Sequence, residues 1–282
     1  MKFTKMQGSG NDFILIDGVT NPAALNSVES WEDTAAALCD RHFGIGADGL
    51  ILVLPSDKAD FKMRIFNSDG SEAEMCGNGL RCFSRFVWEN KLTEKDIISV
   101  ETLAGIMVPA IIVENNVVKA VEVDLGEPHL KPAEIPFTGA SGEEALAARL
   151  EATGQKFTIT AVSMGNPHCV IFTEDVEKID LEKIGPAIEN HPAFPNQTNV
   201  EFVQVLTEKE IKFRVWERGA GATLACGTGA AASVVAASLN KKTERRVLVH
   251  LPGGNLLIEW NKDNHVILTG PAEKVFVGEI EI

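Results

Sequence analysis

When the chain is slid by 150 positions, KMRIFNSDGSEAEMCGNG (Lys62 to Gly79) lies over KFRVWERGAGATLACGTG (Lys212 to Gly229) without a gap. Five of the 18 pairs are identical, and Ile65/Val215 and Phe66/Trp216 keep the apolar pattern. The same offset sets GLILV over NVEFV, with Gly49 opposite Asn199. An offset of 155 sets GNDFILI from Gly10 over GNPHCVI from Gly165, with Asn11 opposite Asn166. Internal repetition on this scale means that one supersecondary unit is used twice. The chain is therefore expected to fold as two similar halves, each carrying a Cys-Gly-x-Gly, at Cys76 in the first and Cys226 in the second.

A chain of 282 residues is long enough for two such halves with full hydrophobic cores. Short β-rich runs (LILVL, IISVETL, VVKAVEVDL, FTITAVSM, VEFVQVL, LLIEWN) alternate with Gly, Pro and Asn turns and a few helical stretches, which predicts a strand-rich α+β protein. One helix is expected from Ser30, where a capping hydroxyl and Asp33 precede TAAALCDRHF, and another over EEALAARLEATG, stopped by Gly154. The Pro- and Gly-rich GEPHLKPAEIPFTGASG puts the boundary near Gly126, separating residues 1–126 from 127–270.

Several function classes are excluded by composition. Five cysteines at 39, 76, 82, 169 and 226 are odd in number and contain no CxxC, which argues against a disulfide framework or a zinc ribbon and for reduced thiols. The opening MKFTKMQGSGNDFILID lacks the long apolar core of a secretory signal, and no apolar run approaches the roughly 18 to 20 residues that span a bilayer. A cytoplasmic location is expected. A net charge of -14 and a pI near 4.9 disfavour nucleic acid and anionic membranes as partners, but leave a small zwitterion open. The six histidines show no HExxH or paired-ligand spacing, so no metal is expected. GIGADG, Gly44 to Gly49, satisfies GxGxxG, yet a helix precedes it and LILVL follows, the reverse of a dinucleotide fingerprint. GAGATLACGTG lacks the GK[ST] of a phosphate loop.

After each Cys-Gly-x-Gly the chain reads as helix, GLRCFSRFVWENK in one half and GAAASVVAASLNK in the other. The second is apolar almost all round, as a helix buried inside a sheet would be. Each cysteine then sits at a helix start, where unpaired N–H groups and the dipole favour a thiolate, pull the thiol below its free value of about 8.5, and can hold a carboxylate. Glycines 77, 79, 227 and 229 let a ligand approach the backbone. A thiolate on one face of a carbon next to a carboxylate can remove its hydrogen while a thiol on the other face delivers one, inverting the centre. That is a two-base racemase or epimerase, with no cofactor required. A racemase of another amino acid, such as proline or hydroxyproline, a thiol redox sensor and a non-catalytic amino-acid binder are the alternatives. Cys39, Cys82 and Cys169 read as small buried hydrophobes.

In order and spacing, KMQGSGNDFILID, RHFGIGADG, FNSDGSEAEMCGNGLRC, MGNPHCV, TNVEFV and WERGAGATLACGTGA resemble the motifs of the diaminopimelate epimerases along the whole chain. The resemblance implies a pyridoxal-independent interconversion of LL- and meso-diaminopimelate in lysine and cell-wall precursor synthesis. It implies two similar domains, each a mainly antiparallel sheet wrapped round a central helix, with the active site between them and the final strand, within 271–282, returning to the first. Cys76 and Cys226 would be the acid/base pair, and Gly77, Asn78, Gly227 and Thr228 would present helix-end donors to the reacting carboxylate. Asn11, Asn67, Asn166, Asn199, Glu217 and Arg218 would hold the substrate, Arg218 at the distal carboxylate, while His168 and Glu217 would tune the thiols. Several relatives carry Gln where this chain has Gly49, which is left out of the substrate set. A homodimer is expected by analogy.

Overall fold

The two helices predicted after the cysteines run Gly77–Glu89 and Gly227–Leu239, 150 residues apart at both ends, with Cys76 and Cys226 at their N-caps. The computed structural model describes residues 1–26, 28–140, 142 and 145–281. Its chain divides into two units, residues 1–123 with 269–282, and residues 124–268. Among the described residues no helix is long and apolar enough to cross a membrane.

The first unit contains β1 (Lys2–Gly8), β2 (Asn11–Asp17), α1 (Pro22–Asn26), α2 (Trp31–Cys39), β3 (Gly49–Leu54), β4 (Phe61–Asn67), β5 (Glu72–Ala73), α3 (Gly77–Glu89), β6 (Val100–Thr102) and β7 (Gly105–Met107). The hairpin β8 (Ala110–Glu114) and β9 (Val117–Asp124) then leads to the break. The second unit contains β10 (Ala148–Ala152), β11 (Gln155–Ser163), β12 (Pro167–Phe172), α4 (Leu181–Glu189), β13 (Asn199–Thr207), β14 (Glu210–Glu217), β15 (Gly221–Thr223), α5 (Gly227–Leu239), β16 (Arg246–Leu251), β17 (Gly254–Trp260) and β18 (Val266–Gly270). The last strand, β19 (Glu273–Glu279), returns to the first unit and pairs antiparallel with β1.

Both units use one wiring. β1–β2 and β11–β12 are antiparallel, and β2–β3 and β12–β13 are parallel. β3–β4 and β13–β14 are antiparallel, and β4–β6 and β14–β16 are parallel. The short strands β5 and β15 hang on β4 and β14. The first sheet has the order β19-β1-β2-β3-β4-β6-β7 and is mainly antiparallel.

Each sheet curls round its long helix. α3 packs on β1, β2, β3, β4 and β19, and α5 on β11, β12, β13, β16 and β17. Because strands approach α5 from several sides, Ala230, Ala231, Ala232, Val234, Val235, Ala236 and Ala237 are all fully buried, as the all-round apolar sequence requires. Burying side chains of this kind contributes roughly 25 cal/mol per Å² of apolar surface, and small residues let the backbone approach the sheet closely. α2 begins as predicted, with Ser30 Oγ accepting from the Asp33 N–H at 3.1 Å.

The helix expected over EEALAARLEATG does not form. Residues 141, 143 and 144 lie outside the described residues, but 148–152 are β10, paired antiparallel with β11 from Ala148↔Ile159 to Ala152↔Gln155. Leu150 and Ala152 point inward while Glu151 is exposed, a period of two that good helix formers concealed. Thr153 and Gly154, at φ 53° and 75°, close a two-residue hairpin.

Candidate active site

The strand ends and the helix starts meet at one end of each unit. In the first, β2 and β3 begin at Asn11 and Gly49 and β4 ends at Asn67, with Phe13 opposite Gly49 and Gly49 opposite Asn67 in register. Asn11 donates through Nδ2 to Asp48 Oδ2 at 2.8 Å, which turns its Oδ1 toward Asn78 Nδ2 at 3.2 Å and Cys76 Sγ at 3.7 Å. Asp48 is held by Arg41 at 2.7 Å, and Arg41 also binds Asp12. A Cβ on Gly77 would meet no atom within 4 Å, so the approach to the first N–H of α3 is open. Asn67 is exposed and donates to Ser71 Oγ at 2.9 Å rather than to the Asn11–Asn78 group.

In the second unit a buried chain of polar groups runs toward Cys226. Glu201 Oε1 lies 2.7 Å from His168 Nδ1, and His168 Nε2 lies 3.0 Å from Asn166 Oδ1. Asn166 Nδ2 donates to Thr228 Oγ1 at 3.4 Å, and Thr228 Oγ1 lies 3.5 Å from Cys226 Sγ. His168 and Glu201 are fully buried. The Glu201 carboxylate on one side and the Asn166 side-chain carbonyl on the other, each faced by a ring nitrogen, fix the orientation of the imidazole. Asn199 donates to the Pro167 carbonyl at 2.9 Å and accepts from the Arg218 N–H at 2.9 Å. Arg218 is exposed, with one guanidinium nitrogen on the Asn196 carbonyl at 3.1 Å and the remaining donors available to an anion.

The thiol of Cys226 behaves opposite to the expectation from its helix start. The Gly229 N–H does point at Sγ from 3.3 Å. Burial nevertheless pushes the thiol well above its ordinary value, reinforced by the negative fields of Glu217 and Glu201 and only partly offset by Thr228 and Gly229. Glu217 is itself raised by burial, although Thr223 and Cys226 hydrogen-bond it. The helix end is real, but two acids and a dry site outweigh it. Burial also raises Cys39 to about 11, Cys82 to about 12 and Cys169 well above its ordinary value, in keeping with a role of these three as packing residues.

A family model described as Diaminopimelate epimerase matches residues 3–131 and 160–275. The chain belongs to the diaminopimelate epimerase family. It is 56% identical over 279 residues to the diaminopimelate epimerase of Pelotomaculum thermopropionicum, covering 99% of this chain and 98% of the relative. It is 53% identical over 283 residues to that of Methanococcus maripaludis, covering 100% of each. Among solved structures, a PhzF-family phenazine biosynthesis protein of Bacillus anthracis superposes with a TM-score of 0.70 at 19% identity, covering 100% of this chain and 99% of that one. A probable proline racemase from Agrobacterium radiobacter gives 0.69 at 12%, covering 100% and 93%. Identities this low show a common fold and nothing further.

Three residues around this candidate site escaped the sequence reading: Glu201, Asp48 and Arg81, whose Nη1 donates to Asn78 Oδ1 at 2.9 Å. For Glu201 a signal existed. The 150-residue offset puts it opposite Ile51, and the 155-residue offset puts His168 opposite Phe13, so an apolar pair in one half is an acid–histidine pair in the other. Beneath the third helical residue a Cβ on Gly79 would meet Ile51 Cδ1 at 3.1 Å, and one on Gly229 would meet Glu201 Oε1 at 2.9 Å.

Proposed function

We infer that this chain is a cofactor-independent isomerase that interconverts LL- and meso-diaminopimelate, in lysine and cell-wall precursor synthesis, with Cys76 and Cys226 as its two acid/base groups. The observation that carries the reading is the pair of cysteines at the N-caps of helices 77–89 and 227–239, twin positions of one duplicated unit. In one direction a thiolate removes the α-hydrogen and the opposing thiol supplies its replacement; in the other the roles exchange. The reacting carboxylate takes the helix-start N–H groups of Gly77, Asn78, Gly227 and Thr228, which stabilise charge developing beside it. Asn11, Asn67, Asn166, Asn199 and Glu217 receive the ammonium groups and the exposed Arg218 guanidinium receives the far carboxylate, a demand that a long dicarboxylate meets and proline does not. Glu217 and His168 tune Cys226.

The chain works in the cytoplasm as a homodimer in this reading. Support for the dimer comes from β19, an outer strand on which the consecutive Val275, Phe276 and Val277 are all exposed.

Proton NMR of the reduced protein with LL-diaminopimelate in heavy water tests the reaction. Deuterium entering one α-carbon along with meso product, and no epimerisation by Cys76→Ala or Cys226→Ala, is the expected result. Product formed without exchange, or activity surviving either substitution, would overturn the two-thiol assignment.

A further inference from the structure

The two half-sites share a backbone but not a charge. Around Cys226 stand Glu201, Glu217 and His168; the positions opposite them in the first unit are Ile51, Asn67 and Phe13. In exchange, the first unit has Arg81 where the second has the buried Ala231. Arg81 is fully buried, in the second turn of α3. A cation there is disfavoured twice, by loss of water and by the positive end of the helix.

Arg81 has no carboxylate within ion-pair distance among the described residues, and its donors go to neutral acceptors. Nη1 donates to Asn78 Oδ1 at 2.9 Å, Nη2 to Ser9 Oγ at 3.1 Å and Nε to the Pro271 carbonyl at 3.0 Å. The first of these bonds fixes the Asn78 amide with its Nδ2 toward Asn11 Oδ1, the atom beside Cys76 Sγ. Of the anions on the packed and neighbouring elements, Asp12 is engaged with Lys5 and Arg41, Asp48 with Arg41, Asp17 with Val19 and Thr20, Glu89 with Arg85 and Lys274, Glu273 with Gln7, Glu72 with Arg64 and Glu101 with Lys62, and Glu279 is exposed. Cys82 and Cys76 are the groups whose negative forms favour the guanidinium charge. Cys82 stays a thiol, since burial raises it to about 12.

We propose that Arg81 is a positioning residue for Cys76, whose buried guanidinium orients Asn78 and serves as the counter-charge of the Cys76 thiolate. The duplication thus gives each thiol a different default: a buried cation favours ionisation of Cys76, and buried acids oppose ionisation of Cys226. The inference rests on Cys76 being one of the acid/base pair.

The test follows alkylation of the full-length reduced protein by iodoacetamide from about pH 5 to about pH 10, with mass spectrometry scoring the Cys76 and Cys226 peptides separately. In the unsubstituted protein Cys76 reacts with the lower midpoint. In Arg81→Met the Cys76 midpoint rises by about one pH unit, tenfold less thiolate at a fixed lower pH, while Cys226 keeps its midpoint. The acidic limb of kcat/KM for epimerisation moves up with it. Arg81→Lys can restore a cation but not the three-donor fork, and a buried ammonium gives up its proton more readily, so its Cys76 midpoint falls between those of the unsubstituted protein and Arg81→Met. A Cys226 midpoint below that of Cys76 in the unsubstituted protein, or an unmoved Cys76 midpoint in folded Arg81→Met, overturns the proposal. Epimerisation by Cys76→Ala would instead bring down the acid/base reading, a failure that the alkylation midpoints keep separate.

Discussion

Asp12 supports the first half-site although it touches neither thiol. Its carboxylate binds Lys5 at 2.7 Å and Arg41 at 2.7 and 3.2 Å, and accepts the Asp48 N–H at 3.1 Å, which ties the turn before β3 to β2. Burial alone would raise this carboxyl, but the hydrogen bonds from Arg41 and Lys5 and the charge of Lys5 win and hold it at about 2. A group depressed in the folded state contributes stability that is present above its unfolded value of about 4 and is lost as the pH falls through that range toward 2. Asp12→Asn is expected to cost about 1–2 kcal/mol at neutral pH after discounting for solvent screening of the exposed Arg41, and to flatten the pH dependence of stability between about 4 and 2. Urea melts across that range decide it; an unchanged slope in the variant would sink the argument. At this scale the sequence spoke unevenly. The cysteines, glycines and asparagines of the motifs announced themselves by repetition. Glu201 and Arg81 did not, because the repeat is broken at both, and their importance comes from full burial and from partners distant in the chain.

Elements whose pattern agreed with their surroundings were readable. α3 and α5 follow a Cys-Gly-x-Gly start and a breaker-free run, and β3, β11 and β13 are dense in β-branched and apolar residues. β10 was misread because Ala, Leu, Glu and Arg favour helix locally, whereas the pairing of β10 with β11 and the burial of Leu150 and Ala152 decide the outcome. The hairpin that joins them carries residual strain: Thr153 is β-branched yet sits at φ 53°. Thr153→Asn creates the Asn-Gly preferred in such turns and is expected to stabilise the protein by about 0.5–1 kcal/mol, whereas Gly154→Ala, at φ 75°, is expected to destabilise it by about 1 kcal/mol. Opposite shifts of the two urea midpoints, at constant slope, are the signature. A neutral Thr153→Asn would mean that the Thr153 hydroxyl bond to the Ala152 carbonyl, at 2.7 Å, already offsets the strain.

Over the whole molecule, the duplication is unequal in one topological respect. The second unit is a continuous stretch, residues 124–268, while the first is closed by residues from the far end of the chain. β19 covers the free edge of β1 from Lys2↔Glu279 to Gln7↔Glu273, and Phe276 packs edge-on against Phe3 with ring centroids 5.9 Å apart. The segment leading into it gives carbonyls to the two arginines of α3, Pro271 to Arg81 and Ala272 to Arg85. Removing residues 271–282 therefore strips the first unit of an edge strand and takes the Pro271 carbonyl from the buried Arg81 Nε, a loss of several kcal/mol on the usual scale for a buried charge, while every strand from β10 to β18 is retained. The four tryptophans, Trp31, Trp88, Trp216 and Trp260, fall two to each unit and make the consequence measurable. In a Trp216→Phe/Trp260→Phe background the truncation should lower the urea midpoint reported by Trp31 and Trp88. With Trp31→Phe/Trp88→Phe instead, the midpoint reported by Trp216 and Trp260 should hold. Equal shifts in both backgrounds would show that the units unfold as one, and that β19 secures the entire chain rather than the half whose sheet it completes.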